Sequence, residues 1–246
     1  MHSTSFSQRP SGSIRRLLWS LGPLLVFLLA ASGLFSAGEL TAKGLTLTQF
    51  DTAGVPVRRL KAERAEGPLD SAQLHRGEVE FYRRPKSNLP PDVNAPWARL
   101  TFPLARYSAL EKRVQGPGPL RLATPEANLD GRHFDYRLEN NRLVLTEAVT
   151  LSAQGVTARC PRAEVQLAEG AQVDNPGVER AELSGGVVVT GLVLQGKVID
   201  RVEAPSVIYF GQTSTIQLRS PVWGWSGGVR TEMSGNELTY QLKRTP

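Results

Sequence analysis

The feature that most constrains the fold of this chain is a repeat with a period of about 35 residues, in which a Leu stands four residues before a Val. The pairs are Leu110/Val114, Leu145/Val149, Leu183/Val187 and Leu218/Val222, and a degenerate first copy has His75 and Val79. Successive valines lie 35, 35, 38 and 35 residues apart. A fixed period in this range is typical of stacked supersecondary units that cannot bury their apolar faces alone. We therefore expect an array in which each unit packs on its neighbours.

Within the repeat, apolar and polar residues alternate. This pattern is clearest in the stretch from Phe134 to Leu151, whose sequence is FDYRLENNRLVLTEAVTL. A period of two is that of a β-strand with one buried face. Asn140 and Asn141 separate the two alternating runs, and Asn tolerates the positive φ angles of tight turns. The stretch therefore predicts a β-hairpin.

The residue two positions before each repeated Val is predicted to be the place where the strand bends. These residues are Gly77, Lys112, Glu147, Gly185 and Ser220. Small residues are common at bulges and at close approaches of the backbone. Glu147 is predicted to face inward with the Leu and Val, and the sequence offers no reason for a carboxylate there.

Each repeated strand is followed by a glycine-containing turn and a second alternating strand. The turns are placed at Gly155, at Gly191 with Gly196, and at Gly227-Gly228; the second strands carry Ala163, Val165 and Leu167, then Ala204, Ser206, Ile208 and Phe210, then Leu238, Tyr240 and Leu242. After residue 40 the apolar positions fit a period of two better than 3.6. The sequence therefore predicts an all-β protein with an up-and-back antiparallel repeat.

The N-terminal segment 17–37 contains no charged residue over 21 positions, which is about the length of an apolar helix that crosses a membrane. Arg15 and Arg16 precede it directly, so the positive-inside tendency places residues 1–16 in the cytoplasm. The segment is predicted to be a transmembrane anchor, with residues 39–246 as a domain on the other side. A cleaved signal peptide is the alternative interpretation, because small residues near positions 30–38 resemble a cleavage site.

Charge and motifs exclude several classes of function. The net charge is +6, but three arginines lie before residue 38, and the remainder has 26 basic and 23 acidic residues. No stripe of basic and aromatic residues suggests nucleic-acid binding. Cys160 is the single cysteine, and His2, His75 and His133 have no metal-site spacing. Because no nucleophile-elbow, phosphate-loop or dinucleotide motif is present, we expect no catalytic site, cofactor or metal.

A proline-rich segment at 83–96 interrupts the pattern after the first repeat. It cannot be a central strand, because proline has no N–H to donate to a ladder. It is either a tolerated insertion or a binding loop.

The motif and its context resemble a known family. The L-x-G-x-V strand at Leu183, Gly185 and Val187, the following strand from Ala204 to Phe210 and the single N-terminal anchor are similar to the LptC family of lipopolysaccharide export proteins, relatives of the soluble LptA/OstA proteins. The resemblance covers residues 39–246. It implies an elongated, open antiparallel β-jellyroll in the periplasm, anchored in the inner membrane by one helix. It also implies that the protein takes lipopolysaccharide from an inner-membrane ABC transporter and passes it to a periplasmic LptA-like bridge protein, as part of outer-membrane biogenesis.

Two interpretations of the apolar inward face remain open. It either fills an ordinary sandwich core or lines a groove for acyl chains. The residues expected to line such a groove are Phe134, Tyr136, Leu145, Val149, Val165, Val187, Ile208, Phe210, Val222 and Tyr240. The last strand, with Leu238, Tyr240 and Leu242, is predicted to be the sheet edge that pairs with a partner strand.

Two alternatives to this function differ in location or chemistry. If the leader is cleaved, the protein is a soluble LptA-like bridge. The more distant alternative is a polysaccharide-active β-solenoid enzyme, which would require parallel coils and a cluster of carboxylates on one face.

Overall fold

A computed structural model describes residues 28–29, 40–52, 54–68, 71–82, 96–168, 177–194, 197–233 and 235–242. Its strands are β1 Leu28–Leu29, β2 Leu40–Phe50, β3 Pro56–Gly67, β4 Ala72–Phe81, β5 Ala98–Ser108, β6 Arg113–Gly116, β7 Leu120–Ala123, β8 Ala127–Gly131, β9 His133–Arg137, β10 Arg142–Ala153, β11 Val156–Leu167, β12 Val178–Thr190, β13 Leu192–Leu194, β14 Lys197–Ile199, β15 Arg201–Phe210, β16 Thr215–Arg219, β17 Val222–Ser226, β18 Val229–Met233 and β19 Glu237–Gln241. Every ladder between these strands is antiparallel. The predicted all-β class is therefore confirmed, and the parallel coils of the solenoid alternative are not found in the described residues.

The strands form a meander in which neighbours in sequence are neighbours in space. Strands β2, β3, β4 and β5 pair in order, and β10, β11, β12 and β15 do the same. Between these two groups, β5 pairs with both β6 and β7, and β10 pairs with both β8 and β9. At the C-terminal end, β15 likewise pairs with both β16 and β17, which pair in turn with β19 and β18.

A line of irregular positions crosses this sheet near the middle of its strands. In β10 the register shifts between Thr146 and Val149, and in β12 it shifts between Ser184 and Val187. At the same level, β16 and β17 are separated by two residues that include Ser220. Bends were predicted in each of these three segments, at Glu147, Gly185 and Ser220, and the irregular positions confirm them.

The other two predicted bends give different outcomes. Gly77 lies beside Arg76, whose φ angle is positive at 47°, so the irregularity is one residue away from the predicted position. Lys112 lies in the turn between β5 and β6, and the predicted mid-strand bend is wrong there. Leu110 of the same copy is 84% exposed at this turn, whereas the repeat pattern predicted it in a strand.

The line of bends divides the sheet into two layers that pack on each other. The first layer contains β7, β8, β17 and β18, and the second contains β6, β9, β16 and β19. Phe81, in the half of β4 that belongs to the first layer, makes an edge-on contact with Tyr136 of β9, with 5.9 Å between ring centroids. Tyr240 of β19 bonds to the backbone of Val193, which follows the first-layer half of β12. The sheet is thus folded over its own apolar face.

The folded sheet explains the repeat. Leu145 lies on the second-layer side of the bend in β10 and Val149 on the first-layer side, and both are fully buried. Leu183 with Val187, and Leu218 with Val222, straddle their bends in the same way and are also buried. In these three copies the Leu and the Val therefore contribute one side chain to each layer of a single apolar core that extends from β2 to β17.

The predicted hairpin from Phe134 to Leu151 is confirmed. Strand β9 pairs with β10 from Arg137 opposite Arg142 to His133 opposite Thr146. Asn141, in the turn, has a φ angle of 55°, as its position between the two alternating runs suggested. A small β13–β14 hairpin occupies the place where a glycine turn at 191 and 196 was predicted.

The predicted anchor at 17–37 lies outside the described residues except for Leu28 and Leu29, which pair with Thr48 and Leu47 of β2. The described part of the chain contains no helix with the length and apolar character needed to span a membrane. Residues 1–16 and 83–95, which include most of the proline-rich segment, also lie outside the described residues.

Candidate functional site

The candidate site is the apolar face enclosed between the two layers, here called the interior face. Seven of the predicted groove residues lie on it and are at most 4% exposed: Phe134, Tyr136, Leu145, Val149, Val165, Val187 and Val222. They belong to one continuous core cluster. The structure therefore brings most of the predicted lining together, in a closed and well-packed arrangement.

The predicted inward orientation of Ile208 and Phe210 is wrong. Ile208 is paired with Glu182 and Gln217, which lie on the outer face, and it is not part of the core cluster although it is only 4% exposed. Phe210 has the same orientation and is half-buried. The interior positions of β15 beyond its bend are instead Val207 and Tyr209, both 1% exposed.

The error comes from the bend in β15 at Pro205. Ala204 lies opposite Val187, and Val207 lies opposite Leu183. The two partners are four positions apart on β12 but only three positions apart on β15, because β12 carries a bulge. A bulge places different numbers of residues on the two strands, which moves the alternation by one residue. The proline inside the run was the sequence signal of this shift.

Glu147 is also not on the interior face. It lies in the bulge of β10 with a φ angle of 65°, its side chain is 61% exposed, and its carboxylate is 3.2 Å from Nδ1 of His133. The bulge turns the side chain outward, which explains why a carboxylate is tolerated there.

The predicted partner edge is β19. This strand pairs with β16 and with no other strand in the described ranges. Leu238 and Tyr240 are partly buried against the core, and Leu242, just beyond the strand, is 2% exposed. The Tyr240 hydroxyl donates to the Val193 carbonyl at 3.0 Å. The side chains therefore fasten β19 to the core, while one side of its backbone lacks a described partner strand.

The tyrosine and cysteine side chains of the interior face are neutral at neutral pH. Burial raises the pKa of Tyr136 to about 12, against the opposing effect of nearby Arg58, and burial raises the pKa of Tyr107 to about 12. Burial also raises the pKa of the Cys160 thiol, whose sulfur lies 3.1 Å from the Arg162 carbonyl oxygen. These groups stay neutral, so they can pack against hydrocarbon without burying an ion.

Two buried polar residues at one end of the interior face were not predicted from the sequence. Arg58 donates a hydrogen bond to the carbonyl of Leu138 and lies 5.9 Å from the centroid of the Tyr136 ring. The Tyr136 hydroxyl donates to Asn141 Oδ1 at 3.2 Å. Their sequence context, an arginine in an alternating strand and an asparagine in a turn, gives no sign of burial.

A cavity of about 870 Å³ lies along the line of bends where it crosses β2, β3, β4 and β5. Gly77, opposite Phe102, allows the Phe102 ring to lie against its backbone, because a Cβ there would lie 2.3 Å from the ring. The charged residues at its rim are paired, with Lys61 at 3.2 Å from Glu78 and Arg76 at 3.1 Å from Glu63. The cavity is a recess in the bend, and part of its lining belongs to the core cluster, namely Leu45, Ala62, Phe102 and Leu120.

Comparisons with known proteins do not identify the chain: no family model matches it, and none of the curated proteins matches it.

Proposed function

We propose that this protein is a membrane-anchored, periplasmic component of lipopolysaccharide export. In this proposal residues 17–37 hold it in the inner membrane, and the folded sheet is an open, elongated β-jellyroll. It accepts the acyl chains of lipopolysaccharide from an ABC transporter on its interior face and passes them to an LptA-like bridge protein.

The observation that carries the proposal is the continuity of the interior face. One apolar surface extends through the meander from β2 to β17, and its buried tyrosines stay neutral. A long apolar surface between two layers of one sheet can receive hydrocarbon if the layers separate, since lipid and core side chains are both apolar. The interior residues are fully buried in this structure, so lipid binding requires such a separation.

Photo-crosslinking in cells tests lipid binding on the interior face. Photoreactive residues at Val149 and Val187 should capture lipopolysaccharide, because both side chains lie on the interior face. Their neighbours Thr150 and Val188 point to the opposite face and serve as matched controls. Equal capture at interior and control positions, or no capture by a folded protein, would contradict the proposal.

The C-terminal edge is proposed to bind the bridge protein by strand addition. Replacing Thr239, in the middle of β19, by proline should weaken capture of the bridge, because proline disturbs the edge backbone. Thr231→Pro makes the same change on β18, the edge of the other layer. Comparison of the two variants shows which of the two strands binds the bridge protein. Unchanged capture by both variants would place the contact elsewhere.

Membrane anchoring has its own test. Protease added to spheroplasts should digest residues 39–246, and the mature protein should be recovered from membranes with residues 17–37 attached. Recovery of a soluble protein that begins near residue 33 or 39 would favour the cleaved-leader alternative.

A further inference from the structure

A second cavity, of about 320 Å³, lies at one end of the folded sheet, next to the buried Arg58. It adjoins the Arg58 end of the interior face and shares no lining residue with the recess along the bends. Its lining combines aromatic walls with polar groups, and includes Phe50, Asp51, Arg58, Tyr82, Trp97 and Asn141. The volume is at the lower end of the range of small-molecule sites, roughly 300 to 1,000 Å³.

Arg58 lines this cavity as a buried cation that has no counter-ion among the described residues. Its residue surface is 6% exposed, and no carboxylate of the described residues lies within ion-pair distance of it. Its hydrogen bonds are donated to neutral groups, the carbonyl of Leu138 and the hydroxyl of Tyr136. Because an arginine cannot lose its charge by deprotonation, its burial is unfavourable unless an anion is close. The remaining guanidinium N–H groups are therefore suited to bind an anionic ligand.

Asn141 adds a second donor to the same cavity. It is 5% exposed, and its side-chain oxygen is used by the Tyr136 hydroxyl. That bond fixes the orientation of the amide and leaves its NH₂ group as a donor. A guanidinium and an amide together match a carboxylate, which accepts hydrogen bonds on both oxygens.

The rest of the lining indicates what kind of chemical group is attached to the carboxylate. Trp97 and Phe81 are in contact, with ring centroids 5.6 Å apart, and provide an aromatic wall. The side-chain oxygen of Gln49, which also lines the cavity, is buried and has no hydrogen-bond partner among the described residues. An alkyl chain would leave this acceptor facing hydrocarbon, which is unfavourable, whereas a hydroxyl group can donate to it. A phosphate dianion would carry more charge than one guanidinium neutralises.

We propose that this cavity binds a sugar ring that carries one carboxylate, with the carboxylate on Arg58 and Asn141 and the ring against Trp97. The single guanidinium indicates a ligand with one negative charge, and the mixed aromatic and oxygen lining indicates a ring that carries hydroxyl groups. This inference rests on the cavity and its lining, and does not depend on the proposed role in lipopolysaccharide export.

Binding of D-glucuronate to the full-length chain in detergent tests the proposal. In titrations followed by NMR, glucuronate should bind and should shift the indole N–H signal of Trp97 but not those of Trp223 and Trp225. D-Glucose, which lacks the carboxylate, should bind at least tenfold more weakly, and decanoate, which lacks the hydroxyl groups, should also be weaker. Equal binding of glucose, tighter binding of decanoate, or no binding of glucuronate would overturn the proposal.

A matched pair of substitutions assigns the binding to Arg58. Arg58→Gln should reduce affinity for glucuronate at least tenfold, while Arg64→Gln, an exposed arginine on the same strand, should leave it unchanged. Undiminished binding by a folded Arg58→Gln variant would refute the site. If that variant does not fold, the comparison of glucuronate with glucose and the Trp97 signal in the unmodified protein still decide the outcome.

Discussion

Adjacent residues on one strand have opposite environments in this protein, and β12 shows the contrast directly. Val187 is 1% exposed on the interior face, whereas its neighbour Val188 is half-buried on the outer face. A valine side chain therefore stabilises the folded state more at position 187 than at position 188. Burial of a valine removes its apolar surface from water, which stabilises the folded state by roughly 25 cal/mol for each Å².

Replacement of each of these valines by threonine measures that difference. Val187→Thr keeps the shape of the side chain but buries a hydroxyl in an apolar core, so the free energy of unfolding should fall by about 1 to 3 kcal/mol. Val188→Thr should change it by less than about 0.5 kcal/mol, because its hydroxyl can reach water. Urea unfolding of both variants checks the prediction, and equal losses would show that the assignment of faces is wrong.

Glu80 makes the stability of the fold dependent on pH. It is 4% exposed, lies 2.7 Å from Lys61 Nζ and accepts a hydrogen bond of 2.5 Å from the Tyr82 hydroxyl. Burial alone would raise the pKa of Glu80, but the bonds from Lys61 and Tyr82 and the nearby Arg59 bring it below its usual 4.5. The ionised carboxylate therefore stabilises the fold above about pH 4.5, and this contribution is lost as the pH falls through the lowered pKa.

Glu80→Gln should remove that pH dependence. At neutral pH the variant should lose about 1 to 3 kcal/mol of unfolding free energy, since a charged hydrogen-bond acceptor is replaced. Below pH 4.5 its stability should fall less steeply than that of the unmodified protein. Urea unfolding at a series of pH values, with exposed Glu179→Gln as control, provides the measurement. Parallel curves for the Glu80 variant and the unmodified protein would contradict the assignment.

At the scale of strands, the bends depend on glycines and prolines placed on neighbouring strands. Gly185 and Gly186 of β12 have φ angles of 90° and 91°, which residues other than glycine rarely adopt. Pro161 of β11 lies against Gly185, and Pro205 of β15 lies on the other side. A proline lacks the N–H that a regular ladder would use, so it suits a position opposite a bulge.

Alanine substitutions separate the backbone requirement from the packing requirement at this bend. Gly185→Ala and Gly186→Ala should both be destabilising, by roughly 1 to 3 kcal/mol, because of the positive φ. Gly185→Ala should cost more, since its Cβ would lie 2.7 Å from Cγ of Pro161, whereas the Cβ at 186 has no neighbour within 4 Å. Adding Pro161→Ala should reduce the cost at 185 only. Thermal unfolding of the single and double variants tests this, and equal costs at the two glycines would refute the contact.

These bends also explain how far the sequence could predict the structure. Alternation identified the strands and seven interior residues, because a period of two holds wherever a strand is regular. It failed at Ile208 and Glu147, which follow or occupy a bend, since a bulge moves the alternation by one residue. The burial of Arg58 was not predictable either, because it depends on the packing of two layers that are distant in sequence.

At the scale of the whole molecule, stability should be distributed along the meander. Strands β10, β11 and β12 have ladders on both sides, whereas β18 and β19 each pair with one described strand. Arrays whose units contact mainly their neighbours open from their ends, and local opening governs amide exchange.

Hydrogen exchange followed by mass spectrometry should therefore show a gradient. Amides of β11 should exchange most slowly and those of β18 and β19 fastest, because an edge strand opens by breaking one ladder while a central strand must break two. Addition of the proposed bridge protein should slow exchange in the edge strand that it pairs with and leave β11 unchanged, since only the edge gains a ladder. Uniform exchange along the sheet would indicate a single cooperative unit, and unchanged edge exchange in the presence of a bound partner would exclude pairing through these strands.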